Sequence, residues 1–164
     1  MPHRVLKRIL LAEDDPRDVT LTLAALRVHR LDGDVDVVSD GEAVLDYLFR
    51  RGAYAARPEG LPLLVLLDLK MPKMDGVEVL AQIRSDRRLS AVPVVMLTSS
   101  REERDVLQSY RSGANAYVVK PVAFDDFIEA VSEVGAFWAG VNEPPPGCLR
   151  GGGLHRNGAD APVA

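Results

Sequence analysis

The chain has 164 residues, enough for one domain with a full core, and its 47% apolar and 27% charged content is ordinary for a globular protein. A net charge of −4 argues against non-specific nucleic-acid binding, and no apolar run approaches the ~20 residues of a membrane span. The stretch after Met1 lacks a secretory h-region, so the expected location is the cytoplasm.

Ile9-Leu10-Leu11-Ala12 is a short apolar run that ends on Glu13-Asp14-Asp15, and it reads as a buried strand. Asp15 is a good N-cap and Pro16 a good first helical residue for the helix carrying Val19, Leu21, Leu23 and Leu26. Capping explains Asp15 but not Glu13 and Asp14, two adjacent acids that repel each other unless a cation is near. Asp34 to Val38 is the next strand, followed by a helix with Ala43, Val44, Leu45, Tyr47, Leu48 and Phe49. A long polar connection, Arg50 to Gly60, leads to Leu63-Leu64-Val65-Leu66-Leu67, a run without a polar break that ends on Asp68. Met71-Pro72 keeps the following segment extended, and Asp75-Gly76 marks the turn into a helix over Val77 to Ser85. Pro93 to Leu97 is a further buried strand ending on Thr98, and Ser100-Arg101-Glu102-Glu103 fits a capping box opening a helix to Ser112, stopped by Gly113. Ala116 to Val119 is the fifth strand, ending on Lys120-Pro121, and a last helix carries Phe124, Phe127, Ile128, Val131, Val134 and Phe137.

Residues 1–6 read as a flexible N-terminus, 7–140 as the domain, and 141–164, with Pro144-Pro145-Pro146 and Gly151-Gly152-Gly153, as a disordered tail. The only cysteine, Cys148, falls in that tail and has no internal disulfide partner. Strands alternating with helices imply an α/β doubly wound parallel sheet, and the flavodoxin-like order 2-1-3-4-5 is expected. That order makes strands one and three neighbours at the switch point, so Glu13, Asp14 and Asp68 meet in one crevice, with Thr98 and Lys120 reaching in from strands four and five. Three carboxylates against one ammonium leave −2, which one divalent cation neutralises. An all-oxygen donor set suits Mg²⁺ better than Zn²⁺. An Asp beside such a cation can accept a phosphoryl group as an acyl phosphate.

These stretches, with Leu67-Asp68-Leu69-Lys70-Met71-Pro72-Lys73-Met74-Asp75-Gly76 the most distinctive, resemble the response-regulator receiver domains of two-component signalling over roughly Lys7 to Trp138. The resemblance implies that Asp68 accepts a phosphoryl group from a histidine kinase. It implies that Asp14 binds Mg²⁺ directly, Glu13 through water and Lys70 through its backbone carbonyl. It assigns phosphoryl contact and switching to Thr98 and Lys120, gives Tyr117 the place of the family's rotating aromatic, and makes the Lys120-Pro121 bond cis. The chain would then be no enzyme beyond slow self-dephosphorylation. The long segment before the central strand, the brief tail and Phe137-Trp138 resemble stand-alone receivers of phytochrome-type kinases, without an output domain. Readout would pass to a separate protein or through a homodimer on the helix 4–strand 5–helix 5 face, where Arg101, Arg104, Arg111, Asp125 and Asp126 supply both signs of charge; no nucleic-acid or membrane partner is expected. Haloacid-dehalogenase phosphatases also use a strand-end Asp with Mg²⁺, but they carry a second Asp where this chain has Lys70. A receiver kept only for protein contacts would normally lack the acceptor or the acidic pair.

Overall fold

The computed structural model describes residues 8–148. Five parallel strands, β1 (Ile9–Ala12), β2 (Val35–Val38), β3 (Leu64–Leu67), β4 (Val94–Thr98) and β5 (Ala116–Val119), stand in the order β2-β1-β3-β4-β5. This is the doubly wound, flavodoxin-like arrangement that the sequence leads one to expect. The three central strands are buried along their whole length, as uninterrupted Leu/Val/Ile runs covered on both faces must be. The edge strands β2 and β5 are mostly half-buried. Five helices connect them: α1 (Pro16–Arg27), α2 (Gly41–Phe49), α3 (Gly76–Ser85), α4 (Glu103–Arg111) and α5 (Phe124–Ala136). α1 packs on α5, and α2 on α3. Gly135 permits the first contact, because a Cβ there would come within 2.8 Å of Leu26 Cδ2.

Local chemistry sets the helix starts. Asp15, Asp40 and Asp75 accept hydrogen bonds from the backbone N–H groups of Arg17 (2.8 Å), Ala43 (2.8 Å) and Glu78 (2.9 Å), so all three helices that follow the acidic strand ends are capped by aspartate. α4 departs from the capping box expected at Ser100. It begins at Glu103; the Ser100 hydroxyl accepts from the Glu102 N–H only at 3.4 Å and donates to the Asp105 carboxylate at 2.6 Å, a charge-assisted bond. The Lys120–Pro121 bond is trans, not cis as the family resemblance implied; trans is favoured by about 0.5–1 kcal/mol for an X–Pro bond.

The tail also differs from expectation near its start. After α5 the chain makes a π-helical turn (Phe137–Val141) and then returns to the body. Leu61 N–H donates to the Gly147 carbonyl at 3.0 Å, Leu61 and Cys148 form a β-bridge, and Cys148 is buried. A Pro-rich composition predicts disorder only when a segment has nothing to bury, and this one buries Cys148 against the chain leading into β3. The rest of the expected flexible ends lies outside the described residues.

The long connection before β3 is fastened by Arg57, which is 3% exposed. Its guanidinium donates to the carbonyls of Tyr47 (2.9 Å), Leu48 (3.4 Å), Pro58 (3.0 Å) and Gly60 (2.9 Å), and lies 4.6 Å from the Tyr47 ring centroid. Burial pulls its pKa below the ordinary arginine value. Arg57→Ala strands four carbonyls at once and is expected to cost about 3 kcal/mol, read as a lowered denaturant midpoint with an unchanged slope.

Candidate phosphoacceptor site

Glu13, Asp68 and Lys120 each follow directly on a strand, and the ladder carries on into them, while Thr98 is the last residue of β4. Glu13 N–H donates to Val38 O (3.0 Å), Asp68 N–H to Ala12 O (3.1 Å) and Lys120 N–H to Thr98 O (2.8 Å). The register pairs Ala12 with Leu67 and Thr98 with Val119, so the residues that come next are held side by side at the carboxyl edge. This is the edge where open α/β sheets bind ligands, at the point where the strand order reverses.

The cleft there has a volume of about 580 Å³ and is lined by Glu13, Asp14, Asp18, Asp68, Thr98 and Lys120 among others. Glu13, Asp68, Thr98 and Lys120 are buried, while Asp14 is exposed. Glu13, Asp14 and Asp68 each bring one carboxylate oxygen to within 4.8 Å of the other two. Three hard oxygens in so small a space match a divalent cation that keeps several waters, and they fit the Mg²⁺ expected from the sequence.

The Lys120 ammonium reaches three acids: Glu13 Oε2 at 2.5 Å, Asp18 Oδ2 at 2.8 Å and Asp68 Oδ2 at 3.4 Å. Burial alone would lower its pKa, but hydrogen bonds to Asp18 and Glu13 and the charge of Asp68 outweigh that and hold it above the usual lysine range. Glu13 is pushed up to about 7 by burial, offset only in part by Lys120 and by the Asp15 N–H that donates to Glu13 Oε1 at 3.1 Å. Asp18 is the contact that sequence reasoning missed. Its only local signal is an acid in the first turn of a helix, which the helix dipole explains equally well.

The remaining predicted residues lie around this centre. Thr98 Oγ1 accepts from Ser100 N–H at 3.3 Å and lines the cleft. Lys70 stands exposed at its rim, one residue past Leu69. Tyr117 is half-buried and its hydroxyl donates to the Ser100 carbonyl at 3.0 Å, so it faces the loop between β4 and α4 and is absent from the cleft lining. Burial raises its pKa, and the phenol is a neutral donor.

The chain belongs to the response-regulator receiver family: the family described as "Response regulator receiver domain" matches residues 9–132. Within it, the chain is similar to stand-alone regulators of phytochromes. It is 39% identical over 132 residues to response regulator Rcp1 of Synechocystis sp., covering 80% of this chain and 88% of that protein. The Mn(2+)-bound form of response regulator Rcp1 superposes with a TM-score of 0.78 at 37% identity, over 85% of this chain and 99% of the other. The phosphorylated cyanobacterial phytochrome response regulator RcpA gives 0.79 at 37% identity, covering 86% and 99%. The bacteriophytochrome response regulator RtBRR gives 0.68 at 58% identity, covering 87% and 86%. Among the described residues no helix is long and apolar enough to cross a membrane.

Proposed function

We propose that this protein is the phosphoacceptor of a two-component pathway, taking a phosphoryl group on Asp68 from a histidine kinase of the phytochrome type. The observation that carries this reading is the buried Asp68 carboxylate, held within 4.8 Å of two further acid oxygens and within 3.4 Å of a fixed ammonium. In the transfer, a carboxylate oxygen of Asp68 attacks phosphorus. The bond from phosphorus to the donor's imidazole nitrogen breaks, and the imidazole leaves with that electron pair. Glu13, Asp14, Asp68 and the Lys70 carbonyl are the residues that would hold Mg²⁺, which when bound supplies neutralising charge for the phosphoryl oxygens. Lys120 and the Thr98 hydroxyl grip those oxygens.

The added charge, about −1.5 to −2, is what the switch reads. Thr98 draws toward the phosphoryl group, the Ser100 loop follows, and Tyr117 loses its carbonyl acceptor and turns inward. The α4–β5–α5 face, with Leu107 and Tyr110 each about half exposed, then alters its self-association.

The test is incubation with Mg²⁺ and acetyl phosphate, or with a phosphorylated kinase, followed by intact-mass measurement. One phosphoryl group per chain is expected, and chelation of the metal is expected to suppress it to background. Uptake indifferent to chelation, or none with every component present, overturns the reading. Steady hydrolysis of a small phosphoester would point to a phosphatase instead.

A further inference from the structure

Asp18 lies outside the three-acid cluster, yet it makes one of the two shortest contacts to the Lys120 ammonium. An ammonium has three N–H donors, and here all three are directed to acids, the weakest contact going to Asp68. A phosphoryl oxygen on Asp68 can be gripped only if a donor is reassigned to it.

Asp18 is free for this role because of its neighbours. It occupies the third helical position after the Asp15 N-cap, where an acid ordinarily reaches back to the cap's own N–H. Glu13 Oε1 already takes that N–H at 3.1 Å. The Asp18 side chain, in the first turn of α1, therefore points across to Lys120. A cation in the cleft would draw on the oxygens of Glu13 and Asp68 but not on Asp18, which keeps its hold on the lysine.

We propose that Asp18 is a positioning residue that retains Lys120 on the α1 side and so opposes its transfer to the phosphoryl group. This inference rests on Asp68 being the phosphoacceptor. Asp18 sets how far phosphorylation is favoured without touching the group transferred. Its removal strengthens the modified state, whereas removal of Lys120 itself weakens it.

The probe is beryllofluoride, whose beryllium exchanges a bound water for an Asp68 carboxylate oxygen in the presence of Mg²⁺. Its dissociation constant is measured by titration calorimetry on the full chain, with thermal denaturation run alongside. Asp18→Asn is expected to bind beryllofluoride about tenfold more tightly than the unmodified sequence, and Asp18→Glu to restore most of the difference. Glu102→Gln removes the same charge from the cleft lining without touching Lys120, and is expected to change binding less than about twofold. Unchanged or weaker binding by Asp18→Asn overturns the proposal, as does an equal gain in Glu102→Gln, which would mark a general effect of charge. If Asp18→Asn does not fold, Asp18→Ser is read by the same criteria. Failure of the unmodified chain to bind beryllofluoride would instead remove the phosphoacceptor assignment.

Discussion

Asp68→Asn is expected to reduce phosphoryl uptake to background while leaving the protein folded. The amide has the shape of the carboxylate but no anionic oxygen to attack phosphorus, and it supplies a poorer ligand to the cation. Lys120 keeps its shorter contacts to Glu13 and Asp18, so the ammonium is not left unpaired. Because one of three crowded like charges is removed, the metal-free variant is expected to melt no lower than the unmodified chain, and slightly higher if the repulsion is felt. Intact-mass measurement after treatment with acetyl phosphate, together with a melting curve, checks both. A variant that still gains one phosphoryl group would place the acceptor elsewhere.

Gly76→Ala is expected to damage both stability and phosphorylation. Gly76 opens α3, and its N–H donates to the Leu69 carbonyl at 2.7 Å. A Cβ there would overlap the Asp68 carbonyl oxygen and come within 3.0 Å of Leu69 Cα and of Met96 Cε. Two of those three neighbours are backbone, fixed by the central strand, so the clash cannot be relieved by turning a side chain. Overpacking of this kind costs about 3 kcal/mol, or roughly 6–12 °C in melting temperature for a domain of this size. Relief is available by displacing the peptide that carries Asp68, and an error of about 1 Å in a reacting group costs on the order of 100-fold in rate. The discriminating measurement is the phosphorylation rate at a temperature where the variant is still folded. A normal rate there would show that the strain is absorbed in α3 and not in β3.

The central strands were legible because burial on both faces leaves almost no room for polar residues. Leu63 to Leu67 and Ile9 to Ala12 can be read by eye, and the acids that end them lie side by side once the strand order is set. The helix starts at Asp15, Asp40 and Asp75 were equally local in origin. The departures share a different cause. Ser100 satisfies every local condition for a cap, yet α4 begins at Glu103, with the Ser100 hydroxyl accepting from the Glu102 N–H only at 3.4 Å while it donates to Asp105 one turn further on. Arg57 reads as one solvated charge in a polar connection, and becomes a buried clasp only when the carbonyls of α2 and its own loop converge on it. Asp18 acquires its partner across 102 positions of chain, a separation that no periodicity or spacing rule records. Local rules predict what a residue does for its own element and say little about side chains that serve another.

The bridge between Leu61 and Cys148 fixes where the last stretch of the sequence sets out from. Leu61 precedes β3 and Asp68 follows it, so the exit point and the acids are separated by the length of a strand, up to roughly 20 Å. A tag, fluorophore or surface tether joined directly after Cys148 therefore starts at the opposite end of β3 from the Asp68 carboxylate. Immobilised from that point, the protein leaves the acidic cleft at the carboxyl ends of its strands open, with nothing grafted beside it.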